Sequence, residues 1–479
     1  MLFNSLQFAI FFPVVVALYF LLAQKWRVRL LLAASCLFYM AFIPAYILIL
    51  FVTIIIDYVA GIYIERSEGG RRKALLWISI VSTCTVLAIF KYLGFFEETF
   101  LGIAGLLGWQ LSPVMTHVIL PIGLSFHTFQ SLSYVVEVYR GHQTAERDFY
   151  LYATYVMFFP QLVAGPIERP QNLLHQFREH HHFDYTNVTE GLKLMAWGFF
   201  KKLVVADRLA LYVNDVYGAP TEYNGLQLSI ATFFFAYQIY CDFSGYSDIA
   251  IGAARVMGFH LMQNFRTPYH SKSVSEFWRR WHISLSTWFK DYLYIPLGGA
   301  RVGRSRHIVN LLITFGVSGL WHGANWTFVC WGILNGVFLV VGSQTKGIRN
   351  RFFDSIGLPE STFVRQAIMV VTTFALTCFA WVVFRAETLG SAVYILTHMF
   401  SNWDFHSIST PHFLMRQMPV AVAAILLLEL SQYAWPRLQE SAILIRMPVQ
   451  SRWALYTCFV MVVLLFGVYQ QSQFIYFQF

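Results

Sequence analysis

Residues 307–345 contain no lysine and no arginine. Before them come Arg255, Arg266, Lys272, Arg279, Arg280, Lys290, Arg301, Arg304 and Arg306; after them come Lys346, Arg349 and Arg351. Basic flanks favour the cytoplasmic face of a membrane. The stretch between them is therefore predicted to enter a bilayer and come back. The rest of the chain agrees. Of 479 residues 57% are hydrophobic and only 12% charged, against about 25% charged in a soluble domain. Mean hydropathy is +0.54. This excludes a disordered chain, a secreted disulfide scaffold and an ordinary cytosolic enzyme. The apolar runs are long and do not alternate, so they suit helices and not barrel strands. An all-α polytopic membrane protein is expected, with residues 1–479 forming one domain.

The basic clusters set the expected topology. Residues 8–23 read as a retained first span, because Met1 to Gln7 carry no basic n-region. Lys25, Arg27 and Arg29 follow it. Residues 30–43 and 45–64 form a hairpin closed by Arg66, Arg71, Arg72 and Lys73. Residues 74–90 cross outward and 113–136 return toward Arg140 and Arg147. The region 151–250 is broken by Pro160, Gly165, Pro166, Lys201, Lys202 and Asp207, which suggests re-entrant or tilted helices around a cavity. Further spans are expected near 363–386, 418–436 and 453–471. Loop 387–417 and both termini then lie outside.

The net charge of +9 fits positive loops facing anionic lipid, and no basic run interleaved with stacking aromatics points to nucleic acid. The cysteines, Cys36, Cys84, Cys241, Cys330, Cys378 and Cys458, form no C-x-x-C pair. They read as buried structural thiols, and no metal site is expected.

Four stretches could carry chemistry. The first is Trp321-His322-Gly323-Ala324-Asn325. A helix over 307–321 rises roughly 22 Å, in a hydrocarbon core about 30 Å thick. His322 would lie past the midplane, and an ionisable group there marks function by default. The alternative is a neutral histidine satisfied by a backbone carbonyl. The second is Glu276-Phe277-Trp278-Arg279-Arg280-Trp281-His282-Ile283-Ser284. Helical spacing puts Trp278, Trp281 and His282 on one face. An interfacial aromatic belt explains the tryptophans and arginines, but not His282 or the Ser284, Ser286 and Thr287 string. The third is Asp242-Phe243-Ser244-Gly245-Tyr246-Ser247-Asp248. It suits a cation site, a network packing broken helices, or a polar patch for substrate. The fourth, Phe158 to Arg169, reads as a structural re-entrant bend, because two prolines and a glycine interrupt it. No nucleophile elbow, P-loop, dinucleotide fingerprint or H-E-x-x-H is present.

These stretches resemble the motif set of the membrane-bound O-acyltransferases, closest to their bacterial alginate O-acetyltransferase branch. The similarity rests on Phe158 to Arg169, Asp242 to Asp248, Asn264 to Gly299 and Gly319 to Asn325. Its most specific parts are Trp278 to Trp288, Leu320 to Asn325 and the tail Tyr476-Phe477-Gln478-Phe479. The resemblance implies a ring of transmembrane and re-entrant helices around a central chamber open to both sides. It implies that His322 is the essential catalytic histidine and that His282 fills a second position held by histidine or asparagine. His322 would then be the general base, and His282 the hydrogen-bond donor to the developing oxyanion. Trp321 and Asn325 would line or orient the site. Arg279, Arg280 and Lys290 would hold coenzyme A phosphates.

The expected reaction moves acetyl from a cytoplasmic thioester, acetyl-CoA, across the inner membrane toward a hydroxyl of an exported polysaccharide. The resemblance implies a separate periplasmic acetyltransferase that completes the transfer. D-alanylation of teichoic acid and acylation of peptidoglycan are the alternatives within the superfamily. A transporter without covalent chemistry is the alternative outside it, although the sequence lacks a repeated two-half architecture.

Overall fold

The computed structural model describes residues 1–113, 120–404, 417–440, 447–469 and 474–475, the side chains of 435–440 apart. Its described residues are helical and include no strand. Five helices are long and apolar enough to cross a membrane: Pro44–Arg66, Gly69–Lys91, Trp326–Gln344, Phe363–Arg385 and Val449–Phe466. The chain is thus an all-α polytopic membrane protein. It forms two compact units. One takes residues 1–195, 247–263 and 323–325; the other takes 196–246, 264–322 and 326–479.

In the first unit, helices Leu6–Leu21, Gln24–Met40, Ile47–Arg66 and Gly69–Lys91 follow the expected spans. Three expectations change. Lys25, Arg27 and Arg29 lie within the second helix, ahead of the start expected at residue 30. Arg27 is buried there, its guanidinium donating to the carbonyls of Leu22 and His181. The span expected at 113–136 is a helix over Leu124–Arg140, because Pro121 and the left-handed Gly123 precede its first turn. Residues 114–119 of that span lie outside the described residues. The helix buries Ser125, His127, Thr128, Gln130, Ser131 and Ser133, so it is a core element of its unit. A further helix at Leu93–Leu106 had no counterpart in the sequence reading.

The pin of this unit is Asp57, fully buried within a candidate span. Its carboxylate accepts from Ser79 at 2.5 Å, Thr83 at 3.1 Å and Ser131. A buried charge is tolerable only when hydrogen-bonded, and these hydroxyls tie three helices to one group. The bend at Phe158 to Arg169 is non-helical and buried, as expected. Gln161 donates to Tyr155 at 3.0 Å, and Glu168 accepts the Met262 N–H.

Residues Asp242 to Asp248 do not join broken helices. They lie within the continuous helix Gly225–Val256. Of their three readings, the network describes Asp242. Its carboxylate meets Lys202 at 2.5 Å and accepts the Ile475 N–H at 2.8 Å, while Lys202 also meets Asp207 at 2.8 Å. Lys202 belongs to the π-helical turn Phe200–Ala206. The loop expected at 387–417 contains a helix, Leu389–His398. The tail Tyr476 to Phe479 lies outside the described residues. Of the cysteines read as buried thiols, only Cys241 is buried, while Cys84 and Cys458 are exposed. An apolar helix bathed in lipid has no reason to bury a thiol.

The segment 307–345 is a helical pair, Arg304–His322 and Trp326–Gln344, joined through Gly323, Ala324 and Asn325. Two glycines let the backbones touch. A Cβ on Gly319 would land on the Phe328 carbonyl oxygen, and one on Gly332 on the Phe315 carbonyl oxygen. Small residues allow this approach in membrane helices. Gly319→Val should force the helices apart and lower the melting temperature of the detergent-purified protein. An unchanged melting temperature would show that the close approach is dispensable.

Candidate active site

The crossing at Gly319 and Gly332 decides what His322 meets. His322 is the last residue of its helix and is 4% exposed. Trp331, next to Gly332, stands perpendicular to its ring at 5.0 Å. Phe384 stands at 5.6 Å and Trp321 at 5.0 Å. Trp381 stacks on Trp331 at 5.8 Å with the planes 14° apart. The imidazole thus sits among aromatic rings.

His282 reaches the same cluster from another direction. The helix Val274–Arg280 stops at Arg280, Trp281 is extended, and His282 is left-handed with φ 43° before the helix Ile283–Phe289 begins. The expected single face carrying Trp278, Trp281 and His282 is therefore absent, because a left-handed residue breaks the helical register. That conformation turns the chain, and His282 is fully buried. Its ring lies 4.5 Å from Phe243 and 6.3 Å from Trp321. The structure thus brings His282, Trp321 and His322 together.

Asn264 fixes the chemistry of His282. Its side-chain oxygen accepts from the Ser284 N–H at 3.2 Å, from the Ser284 hydroxyl at 2.9 Å, and lies 3.1 Å from His282 Nδ1. A backbone N–H can only donate, so the atom it meets is the amide oxygen and not the amide nitrogen. His282 Nδ1 must then carry the hydrogen. In the neutral ring Nε2 holds a lone pair and accepts. The expected role of His282 as donor to an oxyanion is thereby restricted to its charged form. The polar string is structural: Ser284 serves Asn264, Ser286 donates to the Trp281 carbonyl at 3.2 Å, and Thr287 to Ile283 at 2.8 Å.

Each of the two buried imidazoles can take or give a proton. Residues 146–385 match the MBOAT, membrane-bound O-acyltransferase family, and both histidines lie inside that range. The chain is also 37% identical to the probable alginate O-acetylase AlgI of Pseudomonas aeruginosa, over 89% of this chain and 81% of the relative.

The chain belongs to the membrane-bound O-acyltransferases.

It is therefore an O-acyltransferase. It is also similar to the peptidoglycan O-acetyltransferase of Helicobacter pylori, at 33% identity over 83% of this chain and 80% of that protein. The teichoic acid D-alanyltransferase of Streptococcus thermophilus is more distant, at 26% identity over 55% of this chain and 68% of that protein.

The other residues singled out from sequence are more dispersed. Asn325 is exposed and immediately precedes the helix Trp326–Gln344, where asparagine is a favoured N-cap. Arg279 is exposed and donates to Ser275 at 3.2 Å. Arg280 pairs with Glu276 at 2.6 Å and donates to Thr267 at 3.3 Å. Lys290 is exposed and begins the π-helical turn Lys290–Tyr294. Three residues of the cluster escaped the sequence reading: Asn264, Trp331 and Phe384. Asn264 opens a stretch that carries the family resemblance, which was the available signal.

Asn264→Leu should leave three buried donors without their acceptor. Each such group costs about 1–3 kcal/mol, so little folded protein should be recovered. Asn264→Asp keeps the acceptor oxygens and should fold. Equal detergent-stable yields of the two variants would show that this oxygen is not what holds His282.

Proposed function

We propose that this O-acyltransferase passes an acetyl group from acetyl-CoA, a cytoplasmic thioester, across the bacterial inner membrane for O-acetylation of an exported polysaccharide such as alginate. The observation that carries the reading is the approach of His322 and His282 within one buried aromatic cluster, in a chain whose alginate O-acetylase relative shares 37% identity along most of its length. A thioester is already an activated acyl donor. The acceptor hydroxyl lacks nucleophilicity, and a neutral imidazole takes its proton at neutral pH. We assign that step to His322. His282, held by Asn264, offers a second lone pair that positions a donor group of either substrate. Trp321 lies near both imidazoles, and Asn325 borders the site in sequence.

Arg279, Arg280 and Lys290 are assigned to the phosphates of the donor. Arg279 and Lys290 are exposed, Arg279 bonding to Ser275 of its own helix, whereas Arg280 would exchange its Glu276 partner for phosphate. A periplasmic acetyltransferase is the expected partner that completes delivery to the polysaccharide. Peptidoglycan O-acetylation is the second reading, favoured by the Helicobacter pylori relative. Acetyl content of exopolysaccharide and of peptidoglycan in a deletion strain, with and without the gene restored, separates the two.

His322→Ala should abolish acetyl transfer while the protein still inserts and folds, since general base catalysis contributes roughly 10²–10⁴-fold. His322→Gln keeps the size but cannot take a proton, and should be nearly as inactive. Wild-type activity per folded molecule in His322→Gln would defeat the general-base assignment.

In this reading the loops at 65–73 and 300–306 face the cytoplasm and both termini face outward. In a protein cleared of native cysteines, Gly69→Cys and Asn402→Cys should label from opposite sides of the membrane. Labelling from the same side would overturn the orientation.

A further inference from the structure

We propose that the indole N–H of Trp331 is the donor that receives the acyl oxygen during transfer, an assignment that rests on the acyl-transfer reading above. Trp331 is 1% exposed. Its Nε1 is buried and has no hydrogen-bond partner among the described residues. Leaving such a donor dry costs about 1–3 kcal/mol, and native proteins leave few of them so. The ring is not loosely held. It stacks on Trp381 at 5.8 Å and meets Phe384 at 5.0 Å and Trp278 at 5.8 Å. A rigid, desolvated donor therefore stands beside the imidazole assigned to proton removal, with ring centres 5.0 Å apart.

The need for such a donor follows from Asn264. Neutral His282 has committed its only ring hydrogen to the Asn264 oxygen, so it has none to give an oxyanion. Some other group must supply it. A donor that is fixed before reaction and shielded from water stabilises developing charge at no reorganisation cost. Trp331 meets both conditions.

The step balances as follows. The acceptor hydroxyl oxygen bonds to the thioester carbonyl carbon while its proton passes to His322. The carbonyl π pair moves onto oxygen, and the Trp331 N–H donates to that oxyanion. When the pair returns, the carbon–sulfur bond breaks. The thiolate leaves and takes the proton from His322. The products are an ester and a free thiol, and nothing is oxidised or reduced.

The test replaces Trp331 in the full-length protein with benzothienylalanine, which has sulfur in place of N–H and nearly the same ring size. Trp331→Phe is the natural counterpart. Membranes carrying each protein are supplied with acetyl-CoA, and the initial rate of acetyl incorporation into exopolysaccharide is measured per folded molecule. The isostere should melt near the wild-type temperature and transfer about 10²–10³-fold more slowly, the usual loss for one oxyanion donor. Wild-type transfer by the isostere would overturn the proposal, leaving Trp331 as a packing residue only. If Trp331→Phe fails to fold, the isostere still decides. His322→Gln in the same assay tests the underlying reading separately: if it stays active, the base assignment fails whatever Trp331 does.

Discussion

The backbone contact between Gly319 and Gly332 sets the distance at which everything else in the site is arranged. Two helices that carried any side chain there would cross farther apart, because a Cβ at either position meets a carbonyl oxygen of the opposite helix. With the helices in contact, His322 lies one turn beyond Gly319 and Trp331 lies beside Gly332. Their rings meet as a consequence. Phe384 and Trp381, from the helix Phe363–Arg385, close the remaining sides. The His322 imidazole is thus placed by packing on the rings around it.

His282 is placed by polar bonds instead. A left-handed residue between two seven-residue helices has little to hold it, and the Asn264 amide supplies what is missing. Its oxygen gathers the Ser284 N–H, the Ser284 hydroxyl and the His282 ring, while the Asn264 backbone carbonyl accepts the Ile283 N–H at 2.9 Å. Four donors on one residue make the turn rigid and leave one tautomer for the neutral ring. The two histidines of the site therefore differ in support, and this difference separates their chemistry.

Elsewhere the structure handles buried charge in the same economical manner. Asp57 is met by hydroxyls alone, and Lys202 is met by two carboxylates. Both arrangements tie neighbouring helices through one group. Breaking either would strand a charge in an apolar interior, which is far more damaging than losing a surface pair.

The sequence by itself determined the class of fold and the helical pair that carries His322. Charge-free runs between basic clusters require helices that satisfy their own backbone in lipid, and residues 307–345 do form the expected pair with His322 at its tip. The spacing of Lys and Arg carried that information, because hydration of charge is a local property of each residue. Tertiary structure alone decided the rest. Helical periodicity put Trp278, Trp281 and His282 on one face, and the left-handed backbone at His282 removed that face. Asp242 to Asp248 suited a network packing broken helices, yet they lie within one long helix, where Lys202 and Ile475 from remote parts of the chain meet Asp242. Trp331 carried no mark in sequence that set it apart from other aromatic residues, and Asn264 only its place at the start of a stretch that carries the family resemblance. Their significance comes from what they touch, eighteen positions away in one case and across a helix crossing in the other.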